Sequence, residues 1–295
     1  DDDKRLLYHA IGPVWEANHV WLIFVLMVLW NGFPQGFAAI CRLATVPLAL
    51  ALTGIVFRGA AYAFRSSLSA IPEQKRRWEG VFALASTAAP FFFGCTIGVL
   101  AGRQTSLDAS GQFQGNWLTG WISVESLFFG FFAVGICSFI ASVFLVREAA
   151  AGDNHDLEQR WRRRALAMGW LVGAFSVAGL GVAAWRLDFV WNGVVNRAWP
   201  AVALAMLCGI TTIVAIHKRK YWQASITAAL TITLVLAGWA WAQYPYLVID
   251  SISIHESQTP PNVMWMMIGV IVIGLIIVIP PLVWLFYIFK SQTPE

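Results

Sequence analysis

Residues 122–146 read ISVESLFFGFFAVGICSFIASVFLV, and after Glu125 no charged side chain appears until Arg147. About 20 apolar residues in an α-helix cross the hydrocarbon core of a bilayer. This stretch has that length, and it lacks the alternation of a membrane-barrel strand. Seven more stretches share its character, at 17–33, 36–57, 81–101, 165–185, 199–216, 223–242 and 263–289. The sequence therefore predicts an all-α integral membrane protein with about eight transmembrane helices, packed as helical bundles in a single polytopic domain over residues 1–295. Composition agrees. Of the 295 residues 58% are hydrophobic and 12% charged, against about 25% charged in a soluble domain, and the mean hydropathy is +0.65. The 16 Trp residues suit a bilayer, because indoles gather where its apolar core meets the headgroups. Between the first two stretches, Gly32 and Pro34 predict a tight helical hairpin.

The loops set an orientation. All but four of the 20 basic residues fall before the first stretch, in the connections after the second, fourth and sixth stretches with their flanking turns, and in the tail. Arg103, Arg186 and Arg197 lie on the opposite side, and Arg42 lies within the second stretch. Basic residues collect on the cytoplasmic side, so both ends of the chain are expected to face the cytoplasm. The net charge of +4 is thus spread over topology anchors rather than a nucleic-acid-binding patch.

An ionisable side chain within a span costs about 2.5 to 3.5 kcal/mol on insertion scales, which makes it the first place to look for function. At the mouth of the first stretch, residues 11–21 read IGPVWEANHVW. Glu16 and His19 are three apart and share a helix face, with Asn18 beside them. One reading makes them a proton-accepting group, since desolvation raises a carboxyl pKa and imidazole titrates near neutrality. The other makes Glu16 a cap that complements the helix dipole, with His19 at the headgroups. Deeper in, Arg42 and Glu125 enter their stretches from the same side to similar depths, which predicts an intramembrane ion pair. Arg58, Tyr62 and Arg65 follow at i, i+4 and i+7, a polar stripe at the cytoplasmic end of the second stretch, of the kind that snorkels to headgroups.

Other chemistry is missing from the sequence. His9, His19, His155, His217 and His255 all lie in loops or at span ends, so no buried pair offers bis-histidine haem ligation. Met27 and the cysteines leave other ligations formally open. Cys41, Cys95, Cys137 and Cys208 stand singly in apolar runs and read as small apolar residues. Nucleotide-binding, zinc-protease and serine-hydrolase motifs are lacking. The sequence thus predicts no catalytic residue and no metal site on this chain.

Three stretches carry a resemblance: IGPVWEANHVWLIF from residue 11, NGFPQGFAA from residue 31 and VPLALALTGIVFRGAAYAFR at 46–65. Together they resemble subunit II of the cytochrome bd-type quinol oxidases. QYPYLVIDSISI at 243–254 is similar to the aromatic-proline segment that follows that family's penultimate span. The resemblance implies a haem-free subunit of a quinol:oxygen oxidoreductase in a bacterial or archaeal plasma membrane. Its partner would be subunit I, carrying haems b and d and the quinol site. A small accessory subunit and a bound quinone or lipid are further partners that the resemblance allows. Glu16 occupies the position of the family's acidic residue after the Trp of its G-P-x-W motif, which implies a role in cytoplasmic proton uptake.

Two departures accompany the resemblance. The family has nine spans, and its first would precede Asp1. Near the end of the second stretch, Ala63 stands where many members carry an acid. Two other functions are weighed against the oxidase reading: a proton-coupled secondary transporter using Glu16, Arg42 and Glu125, with Pro47 and Pro90 as helix breaks, and a purely structural scaffold.

Overall fold

Backbone polar groups within lipid have no water to bond, so a chain this apolar satisfies them inside helices. The computed structural model describes residues 21–67, 72–102, 106–107, 113–116, 120–152 and 154–291, with Asp3 and Leu6. Among these, seven helices are long and apolar enough to cross a membrane. An eighth span is reached if Trp21–Gly32 (α1) and Pro34–Leu43 (α2), which meet at 116°, count as one. The chain is an all-α membrane protein.

The order continues with α3 (Thr45–Ser67), α4 (Pro72–Ala101), α5 (Val124–Ala151), α6 (His155–Arg186) and α7 (Asp188–Gly193). A π-helical turn (Val194–Ala198) leads into α8 (Trp199–His217), followed by α9 (Tyr221–Gln243), α10 (Ile254–Ser257) and α11 (Pro261–Ser291). Two small ribbons sit between helices, β1 (Ser106–Leu107) with β2 (Phe113–Gln114), and β3 (Tyr246–Val248) with β4 (Ile252–Ser253).

Helix ends depart from the apolar stretches for identifiable reasons. The stretch expected at 36–57 is two helices, because Pro47 has no N–H for the carbonyl of Leu43 four residues back. Thr45 opens α3 and its Oγ1 donates to the carbonyls of Cys41 and Arg42, at 2.6 and 3.0 Å. Pro200 in the first turn of α8 likewise withholds a bond from Asn196, and the wider π turn lies there. Pro90, in contrast, lies inside the uninterrupted α4. Helix α6 starts well before residue 165 because polar residues build its first turn. Asn154 caps it, accepting from the Leu157 N–H at 3.0 Å, and Asp156 and Glu158 meet the positive end of the dipole.

The chain divides into two compact units, residues 1–38 with 253–295, and residues 39–252. In the first, the Thr259 N–H donates to the Gly32 carbonyl at 2.9 Å. A Cβ at Gly32 would lie 2.9 Å from the Cε of Met267, so α1 approaches α11 closely there. Ser253 and Glu256 form a capping box for α10, and the Ser253 N–H and hydroxyl both donate to the Glu256 carboxylate, at 2.9 and 2.7 Å. These bonds hold the Glu256 carboxyl below its usual range. The span in α11 buries 0% of its most apolar window inside the chain.

In the second unit, lipid tails are as apolar as the side chains, so close packing of small residues replaces the hydrophobic effect. Gly94 and Gly98 form a G-x-x-x-G on α4, and a Cβ at either would collide with the α5 backbone, at Phe129 and at Ser126 respectively. The Ser126 hydroxyl donates across the same seam to the Cys95 carbonyl at 2.8 Å. Two small cores lie beyond the seam. Ala39, Leu43, Ala44, Val99 and Val248 form one; Ala101, Leu187, Val190, Ala198, Ala242 and Ile249 form the other. Gln243 fastens β3, its amide donating to the Leu247 carbonyl at 2.9 Å while its oxygen accepts from the Trp239 indole.

Candidate functional site

Glu16, Asn18 and His19 lie outside the described residues. The other expected site residues are all placed, and one pairing differs from expectation. Ser123 caps α5 by accepting from the Ser126 N–H at 3.1 Å, which puts Glu125 in the first turn. Glu125 is 3% exposed, and its Oε1 accepts from the Arg186 Nε–H at 2.6 Å. Its ion partner is therefore Arg186, from the last turn of α6, and not Arg42. The reason lies in the break at Ala44. Arg42 closes the last turn of α2 on an exposed face, where a cation complements the negative end of that helix.

Glu125 Oε2 is buried without a hydrogen-bond partner. Arg186 also lies over the Trp185 ring at 5.2 Å. With Asp188 and Ile249 it borders a cavity of about 20 Å³, large enough for one water molecule, which needs at least about 10–15 Å³.

The opposite ends of the same helices carry the basic residues. Arg58, Tyr62 and Arg65, expected as a stripe that snorkels to headgroups, are half-buried on α3 beside α4. The Arg58 guanidinium lies 5.8 Å from the Phe82 ring, and the Tyr62 ring 6.3 Å from the same ring. Arg65 Nε pairs with Glu79 at 3.4 Å, while the Arg58 Nε is buried without a hydrogen bond. Ala63 is exposed on the same helix. A second polar group joins α6, α8 and α9. Glu158 accepts from the Tyr221 hydroxyl at 2.5 Å and faces His155 and Arg219 at 3.3 and 3.6 Å. Arg162 donates to the carbonyls of Ile216 and His217 at the end of α8.

Sequence reasoning missed Arg186, Glu79 and the Glu158–Tyr221 pair as partners. A signal for Arg186 existed: it follows the 165–185 stretch directly, on the side from which Glu125 enters its own. Glu79 and Glu158 stand among arginines, where sequence shows only a charged loop.

The family model for cytochrome bd terminal oxidase subunit II matches residues 1–289. The chain belongs to that family. Among curated relatives, cytochrome bd ubiquinol oxidase subunit 2 of Bacillus subtilis is 24% identical over 302 residues, covering 98% of this chain and 85% of the relative. Cytochrome bd-I ubiquinol oxidase subunit 2 of Escherichia coli K12 is 23% identical, over 88% of this chain and 75% of its own. The fold is similar to a chain in the structure of bd oxidase from Geobacillus thermodenitrificans, with a TM-score of 0.74 at 20% identity, covering 99% of this chain and 89% of that one.

Three of the five histidines fall among the described residues, all at helix ends or in a short helix. His155 opens α6 with a side chain 90% exposed, His217 ends α8 and His255 belongs to the short α10. None of these three imidazoles stands at depth in a span, where an axial ligand would be needed. Among the described residues no group of three or more His, Cys, Asp or Glu side chains is placed to hold a metal ion.

Proposed function

We propose that this chain is the haem-free subunit II of a quinol-oxidising bd-type terminal oxidase. It packs against a subunit I that carries haems b and d and the quinol site, and it contributes to proton uptake. The observation that carries the reading is the family match over residues 1–289. Two quinols and one dioxygen give two quinones and two waters. The haems of subunit I supply the oxygen chemistry, and the four protons consumed must reach it through protein, because a bare bilayer excludes them.

The part assigned to this chain is the entry of those protons. A carboxylate such as Glu16, three residues before His19 in sequence with Asn18 between them, can accept a proton from water and release it inward. If Glu16 faces the cytoplasm, each turnover removes positive charge from that side without a pump. The clustering of basic residues on one side of the sequence supports this orientation. Ala63 supplies no second carboxylate on α3, so the route would rest on Glu16 and on the partner subunit.

Co-expression with subunit I tests both halves. Haem bands in the reduced-minus-oxidised spectrum of a complex containing both chains are expected. Glu16→Gln should lower quinol-driven oxygen consumption far more than it lowers assembled haem. A well-assembled mutant complex with unchanged oxygen consumption would remove Glu16 from the path, and a colourless chain catalysing solute flux would replace the oxidase reading with transport.

A further inference from the structure

At the basic end of the second unit, the last turns of α5 and the α8–α9 turn border an open groove of about 560 Å³. That volume lies within the roughly 300–1,000 Å³ of small-molecule sites. Three cations line it, Arg147, Arg219 and Lys220, along with Ala150, Ala151 and Trp222, and no carboxylate does. Arg147 lies over the Trp222 indole at 4.3 Å, and Trp222 is 61% exposed. The groove sits where the spans end, since α5 finishes at Ala151 and α9 starts at Tyr221. This is the level at which Trp and basic residues meet headgroups.

The turn itself carries a charge at a strained position. The Lys220 N–H donates to the Ala215 carbonyl at 2.8 Å and the Arg219 N–H to the Ile216 carbonyl at 3.2 Å, with Arg219 at φ 56°. This is the Schellman pattern that ends a helix, and its left-handed position favours glycine because a Cβ is crowded there. An arginine occupies it instead. Glu158 steadies the Arg219 guanidinium at 3.6 Å while the side chain stays 55% exposed. Glu158 is itself bound by Tyr221 and does not line the groove.

We propose that this groove binds the phosphate of an anionic phospholipid. Arg147, Arg219 and Lys220 meet the headgroup with Ala150 and Ala151 beside it, and Trp222, inside the start of α9, lies against the start of the acyl chains. Guanidinium groups match phosphate oxygens in pairs, and basic pockets between transmembrane helices are places where acidic headgroups dock. A cation that merely snorkels needs no shared volume, whereas here three converge on one. A free phosphate would satisfy the charges but would leave the apolar wall without a partner, so a lipid is the better complement.

The test uses the full chain in complex with its partner subunit, held in nanodiscs of phosphatidylcholine with a minor fraction of phosphatidylglycerol. Phospholipid retained through detergent extraction is counted by native mass spectrometry. Wild type and Arg163→Gln, which removes an exposed charge outside the groove, should retain phosphatidylglycerol over phosphatidylcholine. Arg147→Gln/Lys220→Gln should retain it roughly 10- to 30-fold less, from the contribution of two basic residues near an anionic surface. If that double variant fails to assemble, Ala150→Glu places a repelling charge on the exposed wall and should give the same loss. Equal retention by the variants, or equal retention of the two lipids, overturns the proposal. Complete displacement of the lipid by inorganic phosphate assigns the groove to a free anion and also overturns it.

Discussion

Arg186 and Glu125 are 61 residues apart in sequence and 2.6 Å apart in space. Their contact joins the start of α5 to the end of α6. The carboxylate is nearly enclosed while the guanidinium side chain keeps 34% exposure. Charge neutralisation is therefore one-sided, with the buried member depending on the exposed one.

That asymmetry makes the two single substitutions unequal. Arg186→Met leaves a buried carboxylate unpaired. Breaking a fully buried pair costs about 3–5 kcal/mol, and the exposure of Arg186 reduces this to about 2 kcal/mol. Glu125→Gln leaves a cation that can turn to water and should cost less than about 1 kcal/mol. The order can be read from thermal unfolding followed by a thiol-reactive dye in a Cys41→Ala/Cys137→Ala/Cys208→Ala background. Cys95 is 0% exposed and labels only when the α4–α5 seam opens, whereas the other three thiols are accessible. Equal midpoints for the two variants would show that the pair contributes nothing specific.

The seam itself predicts a sharp contrast between glycines. A Cβ at Gly98 would strike the Ser126 backbone, and one at Gly80 meets nothing within 4 Å. Backbone cannot yield as a flexible side chain can, so Gly98→Ala should cost about 1–3 kcal/mol or more through overpacking. Gly80→Ala should be neutral or stabilise by up to about 1 kcal/mol through helix propensity. Expression level and the same thermal assay separate them.

Hydropathy made the number and type of spans legible, because lipid imposes one simple requirement on sequence. Helix ends were less legible, since residues such as Asn154, Asp156 and Glu158 extend α6 by capping and dipole interactions that a count of apolar residues does not register. Arg42 was misplaced for a related reason. Pro47 was readable as a possible break, but the apolar run does not show that the division falls at Ala44, and only that places Arg42 at an exposed helix end. The Glu125 partner was hidden because a depth argument compares positions along the bilayer normal. It says nothing of which helices are neighbours, and α5 is a neighbour of α6.

The capping box of α10 predicts a dependence on pH. Hydrogen bonds from Ser253 favour the ionised form of Glu256 and lower its pKa. A carboxyl lowered in the folded state stabilises the cap above its ordinary pKa, and that contribution is lost as pH falls through the lowered value. Ser253→Ala removes the hydroxyl bonds, so the Glu256 carboxyl should titrate at a higher pH in the variant when followed by carbon-13 shifts. Identical titration midpoints would mean that the box is open in solution.

The Glu158 group yields opposite expectations for two neighbours in the chain. Tyr221 is 8% exposed and gives Glu158 its shortest bond, at 2.5 Å. Tyr221→Phe therefore removes a hydrogen bond to an ion in a nearly closed site and should cost about 1.5–3 kcal/mol. Arg219→Gly also deprives Glu158 of a partner, but one that is longer and open to water, worth about 0–1 kcal/mol. It also relieves a left-handed backbone position of its Cβ, a gain of about 1–2 kcal/mol. The two terms offset, so the glycine variant should melt within about 1 kcal/mol of wild type while Tyr221→Phe melts clearly lower. A large loss on Arg219→Gly would show that the arginine holds the α8–α9 turn through its side chain rather than despite its backbone.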